Sequence, residues 1–370
     1  MQKSSYQYIW IVAPVMAAAL LLVWFFKPQA PSTAAAPALP NTTAVPIISN
    51  TKVRDVFEQA LKQTTTDQQT VKSLHASILS ASKPEAVALI REFLATGKDR
   101  STGMEFEVEN GGSLKSWPTL RTMLLDLVAG IDPAAAADIA REILANPTTA
   151  DEWALALRNL GRIERSPETD ALLLSKTVEL IANPGWQSAP SVGYLNAFDL
   201  FVHLEVTTQT PLLSGLVQNK DRKDLAHAAF LTIDRLVQRQ PVEMLRKLAA
   251  DTALQQSRPE MAAQQFARAD LRDATQREIV KNWLLDPART PTQLRSFTGV
   301  FPNQNHFVSH NLLTREEPPS GDQLAAHDHE ALQILNSWRA DPSFEPISEH
   351  LAAMTARLEQ FTRSTIVPEP

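Results

Sequence analysis

Residues 132–147 read DPAAAADIAREILANP, and the features that determine the fold are concentrated in this stretch. Apolar side chains recur at Ala136, Ile139 and Ile143, a spacing that places them on one face of an α-helix. The aspartate before Pro133 can cap the helix start, where proline is well tolerated, and an Asn-Pro pair closes the run. The stretch therefore predicts one amphipathic helix with a defined beginning and end.

The same pattern returns elsewhere in the chain. Residues 84–94, PEAVALIREFL, share the Arg-Glu-apolar-Leu ending of residues 133–144, and LANP at 144–147 is echoed by IANP at 181–184. Other apolar stripes at helical spacing occur at Leu120, Leu124, Leu127, Val128 and Ile131, at Leu174, Val178 and Ile181, and at Leu225, Ala228, Ala229, Ile233, Leu236 and Val237. Recurrence over roughly 30 to 50 residues is typical of stacked helix pairs.

This patterning resembles the HEAT-like α-α helical-repeat proteins over roughly Val53 to Leu285, and the layout resembles uncharacterised bacterial anchored proteins. The resemblance implies an all-α fold in which antiparallel helix pairs stack as an irregular α-α superhelix. It implies no known activity.

Prolines and loops divide the body of the chain. Helical runs are expected to begin at or shortly after Pro84, Pro133, Pro167, Pro259, Pro287 and Pro342, and single helices are expected at 191–205, 241–253, 290–299 and 344–363. Alternation over Met104 to Val108 predicts a short strand or hairpin. The irregular stretches 97–116 and 301–321 are either contact surfaces or decoration at the edge of the helical stack.

The N-terminal region has the features of a membrane anchor. Residues 8–26 carry no charge and, as a helix, would span roughly 28 Å, close to the thickness of a bilayer core. The alternatives are a cleaved signal peptide, whose apolar region is usually shorter, and a buried soluble helix. Residues 27–50 are rich in proline and alanine and predict an extended spacer.

These features predict a single-pass protein of the bacterial inner membrane with its C-terminal body in the periplasm. The expected organisation is a cytoplasmic N-terminus (1–7), a transmembrane anchor (8–26), a linker (27–50), a helical-repeat body (51–300), an irregular loop (301–321), a C-terminal helical pair (322–363) and a tail (364–370).

Composition excludes several kinds of function. The chain of 370 residues contains no cysteine, so disulfides, thiolate metal sites and a cysteine nucleophile are ruled out. Its net charge of −6 argues against nucleic-acid binding. Because residues 1–50 hold two lysines and no acid, the rest of the chain carries 33 basic and 41 acidic side chains. Phosphate-binding glycine loops, GxSxG and HExxH motifs are absent from the sequence.

Histidines form the most suggestive group of chemically active side chains. His306 and His310 have the i, i+4 spacing of a chelating pair on a helix, although their Asn-rich surroundings favour helix poorly. His327 belongs to a His-Asp-His-Glu run, in which His329 would point away from it on a helix. These are weak metal-ligand candidates, and no cofactor is expected.

Three aromatic residues are candidates for partner contact: Trp186 in a turn, Phe106 in the expected strand, and Phe307 in the Asn-rich loop. Packing on the core is the alternative for Trp186. The basic run Arg235, Arg239, Arg246 and Lys247 is interpreted as a solvated face, and the acidic pair Glu316-Glu317 as first-turn acids of a helix or as a solvated face.

The sequence thus predicts a membrane-tethered, non-catalytic helical-repeat protein that offers a protein- or peptide-binding scaffold outside the cytoplasm. It would contact the bilayer through residues 8–26, and nucleic acid is not an expected partner. Two alternatives are an envelope assembly factor or chaperone for a secreted protein, and a metal-dependent envelope enzyme that uses the histidines of 306–329.

Overall fold

The computed structural model describes residues 51–63, 65–305 and 311–364. These residues are predominantly α-helical, and their helices pack against one another, as the all-α prediction requires. No helix in these ranges combines the length and the hydropathy that crossing a bilayer demands. The predicted anchor, linker and C-terminal tail from residue 365 lie outside the described residues.

The first helices of the body follow the predicted stripes closely. They are α1 Thr51–Lys62, α2 Gln68–Ser80, α3 Lys83–Ala95, α4 Leu120–Ile131, α5 Pro133–Leu144, α6 Ala150–Ile163 and α7 Pro167–Ala182. Asp132 caps α5 by accepting a hydrogen bond from the Ala135 amide, and Ser82 forms a capping box with Glu85 at α3. The predicted helix start at Pro133 is therefore confirmed together with its cap.

The remaining helices are shorter and more often interrupted. They are α8 Pro184–Ser188, α9 Val192–Asn196, α10 Asp199–His203, α11 Thr210–Val217, α12 Lys223–Arg239, α13 Pro241–Ala250, α14 Thr252–Ser257, α15 Pro259–Phe266, α16 Ala274–Leu285, α17 Pro291–Val300, α18 Gly321–Ala340 and α19 Ser348–Ser364. A 3₁₀ helix, Pro342–Ile347, precedes α19.

Three local predictions are wrong. The expected helix 191–205 is broken between α9 and α10, 241–253 is broken where Asp251 caps α14, and 344–363 begins as a 3₁₀ helix. At Asp251 a local cap overrides the apolar period. The helix expected at 290–299 is α17, which the capping box of Thr290 with Gln293 starts at Pro291.

The predicted strand is confirmed as half of a small hairpin. Strands β1 Glu107–Val108 and β2 Leu114–Ser116 pair antiparallel. Gly111 and Gly112 form the tip with φ angles of +101° and +78°, which side chains other than glycine adopt at a cost.

Helix α6 lies at the centre of the N-terminal core. It contacts α4, α5, α7 and α9, and every residue from Ala150 to Gly161 is buried. Helix α12 has the corresponding position further along, where it contacts α9, α10, α11, α13 and α15. Most packing is between helices close together in the sequence, an arrangement compatible with a helical-repeat architecture.

The repeated Arg-Glu pairs of the sequence are connected by ion pairs in the structure. Arg91, in the first copy, pairs with Glu142, in the second, with Nη1 and Oε1 2.6 Å apart. Arg54 pairs with Glu92 at 2.7 Å on one side, and Arg141 pairs with Glu164 on the other. Copies of the motif thus link consecutive helix layers, although each partly exposed pair contributes little energy by itself.

A stack of aromatic rings fixes the start of the irregular stretch 301–321. Trp283 stacks on Phe266 with ring centroids 4.5 Å apart and contacts Phe297 at 5.6 Å, and Phe297 stacks on Phe301 at 5.2 Å. Phe301 is fully buried. Phe301 thus holds the beginning of the stretch in the core. Further along the stretch, residues 311–317 contact α6, α10 and α12.

Candidate functional site

The two irregular stretches that the sequence singles out meet on one side of α6. Arg162, in the last turn of α6, donates from Nη2 to the Gly111 carbonyl at the hairpin tip (2.8 Å) and to the Leu312 carbonyl (3.2 Å). Residues 311–317, here called the 311–317 segment, therefore lie against the hairpin and against helices far from them in sequence.

Asp199 is the main anchor of the 311–317 segment. Its Oδ2 accepts from the backbone amides of Leu313 (2.7 Å) and Thr314 (3.0 Å), and its Oδ1 accepts from the Thr314 hydroxyl. The carboxylate is available for this because α9 ends before it and Asp199 begins the new helix α10. With 4% of its surface exposed, Asp199 makes these bonds away from competing water.

Helix α12 supplies two guanidinium groups to the same place. Arg235 lies 2.9 Å from Asp199 Oδ1 and, through Nε, 2.9 Å from Glu316 Oε1, and it also donates to the Thr314 hydroxyl. Arg239, one helical turn later, contacts Glu316 at 3.4 Å and the Arg315 carbonyl at 3.2 Å. The groove is defined here by Arg162, Asp199, Arg235 and Arg239.

Close packing complements the polar contacts. Leu312 is fully buried, and its carbonyl lies so near Gly112 that a Cβ there would stand 2.1 Å from the oxygen. Gly161 similarly leaves room for Leu313, whose Cδ1 would lie 3.1 Å from an added Cβ. Residues 312 and 314 are buried while 315 and 317 are exposed, which gives the segment a roughly strand-like alternation.

The groove residues carry more positive than negative charge, and an acidic residue of the segment balances part of the excess. The groove holds three guanidiniums and the Asp199 carboxylate, and Glu316 supplies a second carboxylate in contact with Arg235 and Arg239. Burial and the nearby Arg158 lower the pKa of Arg162. Removing Glu316 would leave partly buried cations short of counter-charge.

The predicted histidine site is only partly within the described residues. His306, Phe307 and His310 lie outside them. His327, on α18, is 5% exposed; its Nδ1 lies 3.2 Å from Asp328 Oδ1, and its Nε2 lies 3.8 Å from Asp270 Oδ1. Across the ranges that the structure describes, no three histidine or acidic side chains are arranged to hold a metal ion.

The other two aromatic candidates pack against the protein. Phe106 is 4% exposed, and a Cβ on Gly193 of α9 would stand 2.9 Å from its ring. Trp186, in the short helix α8, is partly exposed and meets the edge of the Trp153 ring at a centroid distance of 5.4 Å. Phe106 thereby packs the hairpin against α9, and Trp186 packs against the first turn of α6.

Sequence reasoning missed the residues of the groove. Arg235 is interpreted from sequence as a solvated residue, and Glu316 as a first-turn helix acid or a solvated one. Their side chains are 10% and 11% exposed and pair with each other, and Glu316 lies in no helix, so these interpretations are wrong for both. Two features of the sequence pointed to these residues: the i, i+4 spacing of Arg235 and Arg239 on α12, and the position of Thr314 two residues before Glu316. No local pattern indicated that the arginines would contact the segment.

The arrangement holds an extended segment of the chain through its backbone amides and carbonyls. No protein-family model, curated protein or solved structure matches this chain.

Proposed function

We propose that this protein is a membrane-tethered, non-catalytic, HEAT-like helical-repeat protein that offers a protein- or peptide-binding scaffold outside the cytoplasm. The apolar residues 8–26 would anchor it, and the Pro/Ala-rich residues 27–50 would set the reach of the body. The body would bind its partner by side-chain contacts without a cofactor.

The observation that carries this proposal is the way the groove holds the 311–317 segment. Asp199 accepts two successive backbone amides, and Arg162 and Arg239 donate to backbone carbonyls. Contacts to the main chain give affinity for extended peptides largely independently of sequence, and flanking side chains add specificity. A helical body that binds extended chain in this way has the chemistry of a peptide-binding scaffold.

Location can be tested with single-cysteine variants, because the chain has no cysteine of its own. Ser73 is exposed on α2, so Ser73→Cys provides a reactive thiol on the body. In spheroplasts, we expect a membrane-impermeant maleimide to label this variant without lysis and the protein to sediment with membranes. Labelling only after lysis would place the body in the cytoplasm and contradict the proposed location.

Binding can be tested by photo-crosslinking in living cells. A photoreactive residue at Glu109 or Asn110, both exposed at the hairpin tip beside the groove, should give the same adduct of defined mass, and Lys72 on α2 serves as the matched exposed control. We expect the adduct from the groove positions only. Adducts of equal yield from Lys72, or none from any position, would contradict a binding scaffold that uses this surface.

A further inference from the structure

We propose that the groove is a receptor for an extended peptide of a partner protein and that the 311–317 segment is a built-in occupant that this peptide displaces. The partner peptide would carry an apolar residue, a threonine or serine two positions later, and an acidic residue two positions after that. The inference rests on the proposed function and adds the chemistry of its ligand.

The backbone contacts fix the register of any occupant. Asp199 accepts from two consecutive amides, and Arg162 donates to the carbonyl just before them. A carboxylate that takes two neighbouring N–H groups and a guanidinium that reaches the preceding carbonyl hold a chain at one position along the groove. An external peptide in the same register would satisfy the same three groups.

Side-chain contacts then define which peptide fits. The Leu312 side chain is fully buried, so its position selects an apolar residue. The Thr314 hydroxyl bonds both Asp199 and Arg235, so a residue without a hydroxyl would leave a nearly buried carboxylate and guanidinium with an unfilled contact. At position 316, Arg235 and Arg239 together select a carboxylate.

Several features make the built-in occupant exchangeable. The segment forms no helix or strand, and Arg315 and Glu317 are exposed between the contacts. Within the segment only Leu312 and Thr314 are buried, and a segment outside regular secondary structure opens locally at lower cost than global unfolding. Pro318 and Pro319 follow directly, and proline favours the extended conformation that a displaced or bound segment needs.

A labelled peptide with the sequence of residues 311–319, NLLTREEPP, tests the proposal on the full-length protein in detergent. Because a tethered segment competes at an effective concentration of the order of millimolar, the wild type should bind the peptide weakly. The double variant Thr314→Ala/Glu316→Ala weakens the built-in occupant. By fluorescence anisotropy, we expect it to bind the peptide at least tenfold more tightly than the wild type.

Two controls make the result specific for the groove. The peptide NLLARKEPP, which lacks the hydroxyl and reverses the charge of the first acid, should bind the double variant at least tenfold more weakly. Adding Arg235→Ala to the double variant should lower affinity for the original peptide to the same extent. A folded double variant that binds neither peptide at 1 mM (~10³-fold above a micromolar Kd), or both equally, would overturn the proposal.

A second measurement applies if the double variant does not fold. Thr314→Cys places a thiol at a buried position in an otherwise cysteine-free chain. Its maleimide labelling should accelerate at least fivefold when NLLTREEPP is added and remain unchanged with NLLARKEPP. Acceleration by neither peptide would overturn the proposal. If photo-crosslinks from Glu109 and Asn110 are nevertheless obtained, only the displacement model fails and the scaffold function stands.

Discussion

Two buried ion-pair networks in this protein have opposite structural roles. In the first, Arg121 of α4 pairs with Glu152 of α6 at 2.7 Å, and both side chains are 0% exposed. In the second, Arg235 lies between Asp199 and Glu316, with a residual exposure of 3–11% for these side chains. The first network joins two helices of the core, and the second joins helices to the irregular 311–317 segment.

The difference indicates what each network is able to do. A fully buried pair contributes little net energy compared with apolar packing, yet loss of one partner is severe because a charge remains in the core. A pair at the edge of the core can open with its segment and let water solvate the exposed groups. We therefore expect damage to the first network to destabilise the whole fold and damage to the second to release mainly the segment.

The largest expected effect comes from Glu152→Ala, which leaves Arg121 unpaired at zero exposure. It should lower the free energy of unfolding by about 3–5 kcal/mol, measured by urea denaturation. Glu316→Ala is the matched control, because it also removes a carboxylate that pairs with an arginine; it should change the global free energy by less than about 1 kcal/mol. Equal global losses would remove the distinction between the two networks.

The next largest effect concerns the pKa of Asp151, a second buried carboxyl on α6. Asp151, next to Glu152, has no arginine partner; its Oδ1 accepts from the Ser191 hydroxyl and the Gly193 amide. Burial raises the pKa of Asp151 from 3.8 to about 6, and the charge of Glu152 adds to the rise. The folded state therefore retains this proton at a pH where the unfolded chain has lost it.

The sign of the pH effect follows directly. Well below pH 4 the carboxyl is protonated in both states, and between about pH 3 and pH 7 the folded state loses about 3 kcal/mol relative to the unfolded chain. Asp151→Asn keeps the Oδ1 acceptor and cannot ionise. Its stability relative to the wild type should increase by about 2 kcal/mol between pH 4 and pH 7 in urea titrations. A constant difference across this range would contradict the pKa assignment.

The helical stack was predictable from sequence, whereas the groove was not. The stripe through Ala136, Ile139 and Ile143 predicts α5 because helical period and capping are local properties, and the structure agrees. The contact of Asp199 with Leu313 and Thr314 depends on a helix break and on a segment more than a hundred positions away. No local pattern encodes such an encounter, so Arg235 looked like a solvated residue.

Substitutions at the hairpin tip can disturb the second network without removing a charged side chain. In Gly112→Ala the new Cβ would stand 2.1 Å from the Leu312 carbonyl oxygen, a backbone atom that cannot move alone. Gly111→Ala is the matched control: its φ is also positive, but its Cβ would meet only the flexible Arg315 side chain at 3.5 Å.

Both glycine variants should lose about 1 kcal/mol through backbone strain. Gly112→Ala should lose a further 2 kcal/mol or so through overpacking. In hydrogen exchange, only Gly112→Ala should increase the exchange of the Leu313 and Thr314 amides. Equal exchange in the two variants would show that the hairpin does not hold the segment in place.

The smallest expected effect isolates one hydroxyl of the segment. Thr314→Val keeps the shape of the side chain but removes the group that bonds Asp199 and Arg235. Since the backbone bonds from Leu313 and Thr314 to Asp199 remain, the segment should open more often without leaving permanently. Loss of a hydrogen bond to a charged group corresponds to about 1.5 kcal/mol, so amide exchange at 313–314 should accelerate roughly tenfold. The free energy of global unfolding should fall by no more than the same 1.5 kcal/mol or so, because both processes start from the closed native state and the core pair Arg121–Glu152 is left intact. A shift of the midpoint with unchanged local exchange would mean that the segment belongs to the cooperative core.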